Sequence, residues 1–135
     1  MKVRKLLDQL DQHLTTCGPE DTIYAAAAIL STRGIGALPV CDENEVMVGI
    51  ISERDVVNAF AQSGGGLRGM RVSRAMSADV VTCKPEDTLE KVETLMRTHG
   101  VRHIPVVEQG DVIGVISIRD LLATSHKKPS LKAVD

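Results

Sequence analysis

The chain has 135 residues and a formal net charge of −2, so it holds one ordinary domain or two small units sharing a core. That balance lacks the basic excess of a nucleic-acid-binding surface, while 43% hydrophobic residues are enough to build a buried core. Tyr24 and Phe60 are its only aromatic residues, which excludes a stacking platform for single-stranded nucleic acid and leaves any flat ligand ring to aliphatic side chains.

The sequence is written twice. Thr16-Cys17-Gly18-Pro19-Glu20-Asp21-Thr22 returns as Thr82-Cys83-Lys84-Pro85-Glu86-Asp87-Thr88. Gly34-Ile35-Gly36-Ala37-Leu38-Pro39-Val40 returns as Gly100-Val101-Arg102-His103-Ile104-Pro105-Val106, and Gly49-Ile50-Ile51-Ser52-Glu53-Arg54-Asp55 as Gly114-Val115-Ile116-Ser117-Ile118-Arg119-Asp120. The lead-ins from Val3 and Val72 also correspond. Three blocks in one order at an offset of about 66 residues predict two half-domains about a pseudo-twofold axis, since two copies are too few for a solenoid.

In chain order, each copy predicts a short strand first, at 14–17 and 80–83. Pro-Glu-Asp-Thr then starts a helix, with Asp or Thr capping the free N–H groups and the acids suiting the positive end of the dipole. The apolar stripe is Ile23, Ala26, Ala27 and Leu30 in copy one, and Leu89, Val92, Leu95, Met96 and His99 in copy two. Gly34 and Gly100 end these helices. Two strands follow in each copy, at 37–41 and 46–51, then 103–107 and 112–116, joined by polar turns. The second strand of each pair is apolar almost throughout, as expected of a strand buried on both faces. Pro39 and Pro105 interrupt the first, so an edge or a bulge is expected, with backbone groups left to face a ligand. A last helix begins at Ser52 or Ser117. Residues 3–62 and 72–125 thus form the two units, each with its lead-in, around a Gly-rich linker at 63–71, with a frayed tail at 126–135.

The paired blocks carry their own chemistry. One carboxylate accepts from both adjacent hydroxyls of a ribose, and Asp55 and Asp120 stand in a helix's first turn, where a negative charge suits the positive end of the dipole. The same helix starts expose N–H groups to phosphate, with Ser52 and Ser117 at the mouth. Ser-x-x-Asp at a helix start is also a capping box, in which both side chains merely satisfy the backbone. Arg54 and Arg119 either add positive charge there or are solvated helix charges. Arg102 and His103 are adjacent in a strand, so only one is expected to face a pocket. Ile35, Val101 or Ile104 would sandwich a base. Cys17 and Cys83 read as small buried thiols, with a redox role the alternative. The run Ala25–Ala28 is either helix propensity or a close-packed dimer face.

The β-α-β-β-α unit, with its Gly-x-x-x-x-Pro-Val and Gly-apolar-apolar-Ser-x-x-Asp blocks, resembles a CBS domain, named for the regulatory domain of cystathionine β-synthase. Two copies over roughly residues 3–124 resemble the tandem pair called a Bateman module, above all the small stand-alone bacterial ones. The resemblance implies an α+β fold, α/β-like in its units, and an adenosine ligand (AMP, ADP, ATP, NAD or S-adenosylmethionine) in the cleft between the halves. It implies that Asp55 and Asp120 hold ribose, and that Ser52 and Ser117 contact phosphate. Residues 15–17 (Thr16, Cys17) and 81–83 (Val81, Thr82) would read the adenine edge through backbone groups. It further implies that Arg102 and His103 take phosphates. Copy one departs with Gly36 and Ala37, so two unequal sites are expected, the second preferring a phosphorylated ligand.

The functional expectation is a regulatory nucleotide sensor acting in signal transduction on an unknown effector protein. It has no catalytic residues, no metal and no obligatory cofactor. The alternative is a dimerising scaffold with vestigial pockets. A homodimer is expected through the alanine-rich stripe of the first helix and the face carrying Leu89, Val92, Leu95 and Met96. No membrane span or secretory signal is evident, and three cysteines without metal-like spacing suit a reduced, cytoplasmic protein.

Overall fold

The computed structural model describes residues 1–10, 13–64, 66 and 68–125. The linker expected at 63–71 therefore falls in part, and the tail expected at 126–135 wholly, outside the described residues. The chain runs α1 (Val3–Leu10), α2 (Ile23–Arg33), β1 (Ala37–Cys41), β2 (Met47–Ser52), α3 (Glu53–Ser63), α4 (Val72–Ala75), α5 (Leu89–His99), β3 (His103–Glu108), β4 (Asp111–Ser117) and α6 (Ile118–Ser125). β1 pairs antiparallel with β2, and β3 with β4, as two separate two-stranded sheets.

The repeated Pro-Glu-Asp-Thr resolves into a division of labour. Thr22 and Thr88 are the N-caps, accepting from the N–H groups of Ala25 and Lys91 at 3.1 Å each. Asp21 and Asp87 instead close the preceding turn, accepting from Gly18 and Lys84 at 2.8 Å each. Gly34 and Gly100 end α2 and α5 at φ 63° and 65°, the left-handed conformation that glycine adopts without steric cost.

The strands expected at 14–17 and 80–83 do not form. Each segment makes a single parallel bridge, Cys17 to Val40 and Cys83 to Val106. The prolines explain this. Cys17 donates to the Pro39 carbonyl at 3.1 Å and Cys83 to that of Pro105 at 3.0 Å. The next rung back would need the N–H of residue 39 or 105, which proline lacks. The expected bulge is present, with register shifting between Val40 and Cys41 and between Val106 and Val107, just past each proline.

Two corrections concern burial. The second strands are not buried on both faces: Ile116 packs in the core, whereas Ile113 on the other face is 37% exposed. His99 lies outside the buried stripe of α5, exposed in the last turn.

Each half has its own apolar core, and the lead-in helices cross between them. Val3 and Leu6 of α1 pack with Val92, Met96, Ile104, Val106 and Ile116 of the second half. Val72 of α4 packs with Ile23, Leu30, Leu38, Val40 and Ile51 of the first. Backbone bonds fix both crossings: Val3 N–H to Asp87 and Arg4 N–H to Pro85, matched by Val72 N–H to Asp21 and Ser73 N–H to Pro19. Val3 and Val72 are fully buried, each contributing about 1.5–3 kcal/mol in removing its side chain from water.

Candidate functional site

The helix starts at Ser52 and Ser117 are built alike. Ser52 N–H donates to Asp55 Oδ2 and Ser117 N–H to Asp120 Oδ2, both at 2.8 Å. In return Asp55 N–H donates to Ser52 Oγ at 3.3 Å and Asp120 N–H to Ser117 Oγ at 3.1 Å. Both Ser-x-x-Asp blocks are therefore capping boxes. Among the described residues neither carboxylate uses its Oδ1 in a hydrogen bond, so each cap leaves one carboxylate oxygen over.

A cleft of about 760 Å³ lies between the halves. The second half supplies Arg102, His103, Ser117, Arg119 and Asp120. The first supplies Ile35, Gly36 and Ala37 from the turn entering β1, together with Thr15 and Glu53. Of the residues expected from sequence, the cleft thus gathers Ile35, Arg102, His103, Ser117, Arg119 and Asp120. Asp55 lines a different groove, of about 630 Å³, with Asn58, Gln62 and Arg74.

The remaining expected residues lie outside both linings. Pro39, Ile104 and Pro105 are fully buried in the cores, and Cys17 is buried beside Val40. Val81 and Val101 are half-buried against the second core. Thr16, Thr82 and Arg54 are exposed at the surface, and Ser52 is half-buried within its cap.

Arg102 and His103 both line the cleft, contrary to strand alternation, because β3 begins only at His103 and Arg102 belongs to the turn before it. The blocks expected to distinguish two sites, Gly36-Ala37 and Arg102-His103, face each other across this one cleft. Burial holds the His103 imidazole below its usual pKa of 6.5; Glu53 and Asp120 pull it upward, while Arg102 and Arg119 add to the lowering.

Sequence reasoning missed the wall that α1 and β4 form. Arg4, Leu7 and Asp8 line the cleft from α1, and Ile113, Val115 and Ile118 supply the aliphatic surface expected of Val101 and Ile104. The signal was present in the apolar second face of β4, read as core. Arg4 is already engaged, donating to Glu86 at 2.9 Å and to Glu108. Burial pushes the thiols of Cys17 and Cys83 up to about 12, which suits apolar packing.

The faces expected to meet in a dimer are covered by the chain itself. Ile23, Ala26 and Leu30 of α2 and Val92 and Met96 of α5 are buried in the two cores, with Leu89 and Leu95 packed at the edge. The exposed large apolar side chains include Tyr24, Val57, Phe60 and Leu122, on α2, α3 and α6.

A family model described as the CBS domain matches residues 3–62 and again 72–127. The CBS domain-containing protein YhcV of Bacillus subtilis is 31% identical over 124 residues, covering 91% of this chain and 86% of YhcV. The crystal structure of the CBS-domain containing protein ATU1752 from Agrobacterium tumefaciens is 37% identical with a TM-score of 0.88, over 93% of this chain and 99% of that one. The CBS domain pair of protein MJ0100, in complex with 5′-methylthioadenosine and S-adenosyl-L-methionine, is 26% identical with a TM-score of 0.84, over 95% of this chain and 98% of that one.

Proposed function

The chain belongs to the CBS domain family, and from that premise we propose that it is a regulatory sensor that binds an adenosine nucleotide in the cleft between its halves. The observation that carries the reading is the placement of Asp120, capped at the start of α6 with Oδ1 left over, in a cleft that also holds Arg102, His103 and Arg119. A ribose diol donates to that carboxylate, and phosphate meets the guanidinium groups and the N–H groups of the helix start. Ile35, Ile113, Val115 and Ile118 offer aliphatic surface to the base. The adenosine compounds bound to the MJ0100 pair support the shared nucleoside. AMP, ADP, ATP, NAD and S-adenosylmethionine are the candidate ligands.

The protein works in this reading as a homodimer that passes its ligand state to an effector protein in the cytoplasm. Exposed Tyr24, Val57, Phe60 and Leu122 support an interface of apolar helix surfaces, and three free cysteines suit a reducing compartment. The second reading, a scaffold with vestigial pockets, draws on the capping boxes, which give both aspartates a structural task without any ligand.

Thermal melting with AMP, ATP, NAD and S-adenosylmethionine separates the two. A ligand at a hundredfold excess over its dissociation constant stabilises the folded chain by about 2.7 kcal/mol, a shift of several degrees. An unchanged midpoint with all four compounds overturns the sensor.

A further inference from the structure

We propose that only one of the two pseudo-symmetric positions, the one at Asp120, admits a ligand, and that Asp55 serves only as a helix cap. The inference rests on the nucleotide reading above and adds its stoichiometry. Three differences between otherwise matched halves carry it.

The first lies in the caps. Ser52 Oγ donates to Asp55 Oδ2 at 3.0 Å, so its hydroxyl proton is spent inside the cap. Among the described residues Ser117 makes no such bond to Asp120, so its hydroxyl remains a donor at the cleft.

The second lies in the lead-ins. Cys17 follows Val3 by 14 residues, whereas Cys83 follows Val72 by only 11. The shorter lead-in stops at Ala75 and returns at once to the sheet, where Ser77 and Ile50 exchange N–H···O bonds of 2.9 Å in both directions. That bridge covers the edge of β2. The longer lead-in continues as helix to Leu10, and Val115, the counterpart of Ile50, lines the open cleft beside it.

The third is side-chain bulk. The turn across from Asp120 carries Gly36 and Ala37, and the missing side chain at Gly36 is the space that the His103 imidazole of the other half occupies at the cleft. Their counterparts, Arg102 and His103, are large, and both side chains are already committed to the cleft at Asp120.

Calorimetric titration of the full chain with AMP, ATP, NAD and S-adenosylmethionine, on the wild type and on Asp120→Asn and Asp55→Asn, tests this. Asparagine keeps an oxygen acceptor for the cap, so both variants should lose similar amounts of thermal midpoint. Binding should separate them. The wild type takes one ligand per chain, Asp120→Asn weakens affinity about tenfold or more through loss of a charged acceptor, and Asp55→Asn leaves it within about twofold. Two ligands per chain, or a tenfold loss in Asp55→Asn, overturns the single-site inference. An absence of heat with all four compounds on the wild type overturns the nucleotide reading instead. Hydrogen exchange of the free chain checks the closure directly: slow exchange at Ile50 and Ser77 supports it, and exchange at the rate of an exposed loop overturns it.

Discussion

The Nε2 atom of His103 lies 2.6 Å from the point where a β-carbon on Gly36 would stand, so the imidazole of one half fills side-chain space belonging to the other. The nearest Glu53 oxygen is 3.2 Å from the same point. A β-carbon at 36 would therefore have to displace the His103 imidazole across the pseudo-twofold, at a position where the second half carries Arg102.

Gly36→Ala should therefore destabilise the chain by about 1–3 kcal/mol, as overpacking does. In a His103→Ala background the same substitution should cost clearly less. Urea denaturation of the four chains measures the coupling. Additive costs would mean that the two residues do not share the space.

Stability should fall in mild acid because of His103. Its folded-state pKa is lowered by burial from the usual 6.5, so the unfolded chain takes up this proton first. The contribution is complete above pH 6.5 and is lost as pH falls from there through the lower folded value. His103→Gln should flatten the stability profile below the usual histidine range, read by denaturation at a series of pH values. A bound phosphate would reverse the preference, so an anionic ligand should bind more tightly as pH falls through the same range.

Much of this was legible in sequence, and the misses have physical causes. The repeat exposed the half-domains, the caps and the glycine helix ends, because those depend on local chemistry at fixed spacing. The segments at 14–17 and 80–83 failed as strands because the limiting residue, Pro39 or Pro105, lies far away in sequence on the neighbouring strand. Ile104 is buried rather than facing the ligand, and Ile113 and Val115 line the cleft rather than the core, because alternation shows that a strand has two faces without saying which one meets the cleft; Val101, ahead of β3, packs against the second core. The wall from α1 was invisible for a further reason: nothing in Arg4, Leu7 or Asp8 signals a partner so distant along the chain.

Alkylation should distinguish the cysteines. With thiols pushed up to about 12 and side chains buried, Cys17 and Cys83 should resist iodoacetamide at pH 8 in the folded chain. Cys41 is half-buried, its thiol raised by desolvation and by Asp42 and Glu45, and should react slowly but first. Mass spectrometry should find one adduct before urea and three after. Early labelling of Cys17 would show that the bridge to Val40 opens readily.

The interface prediction turns on Phe60, 59% exposed on α3. Phe60→Glu places a charge on the apolar surface without touching either core, so folding should persist while self-association weakens. Light scattering at micromolar concentration should give a dimer for the parent chain and a mass near 14.5 kDa for the variant. A monomeric parent would remove the dimer.

The crossing of α1 and α4 sets a condition on how the protein comes into being. During synthesis the first half emerges without α4, and Val72 arrives only after the linker, so its core stays unsealed until the second repeat has begun. The second core closes only when Val3 and Leu6 of the first lead-in dock against the second repeat. These contacts of high sequence separation should make closure slow relative to helix formation. Chains severed between the repeats should yield fragments that are poorly folded alone and regain structure when mixed, each donating the helix that the other lacks.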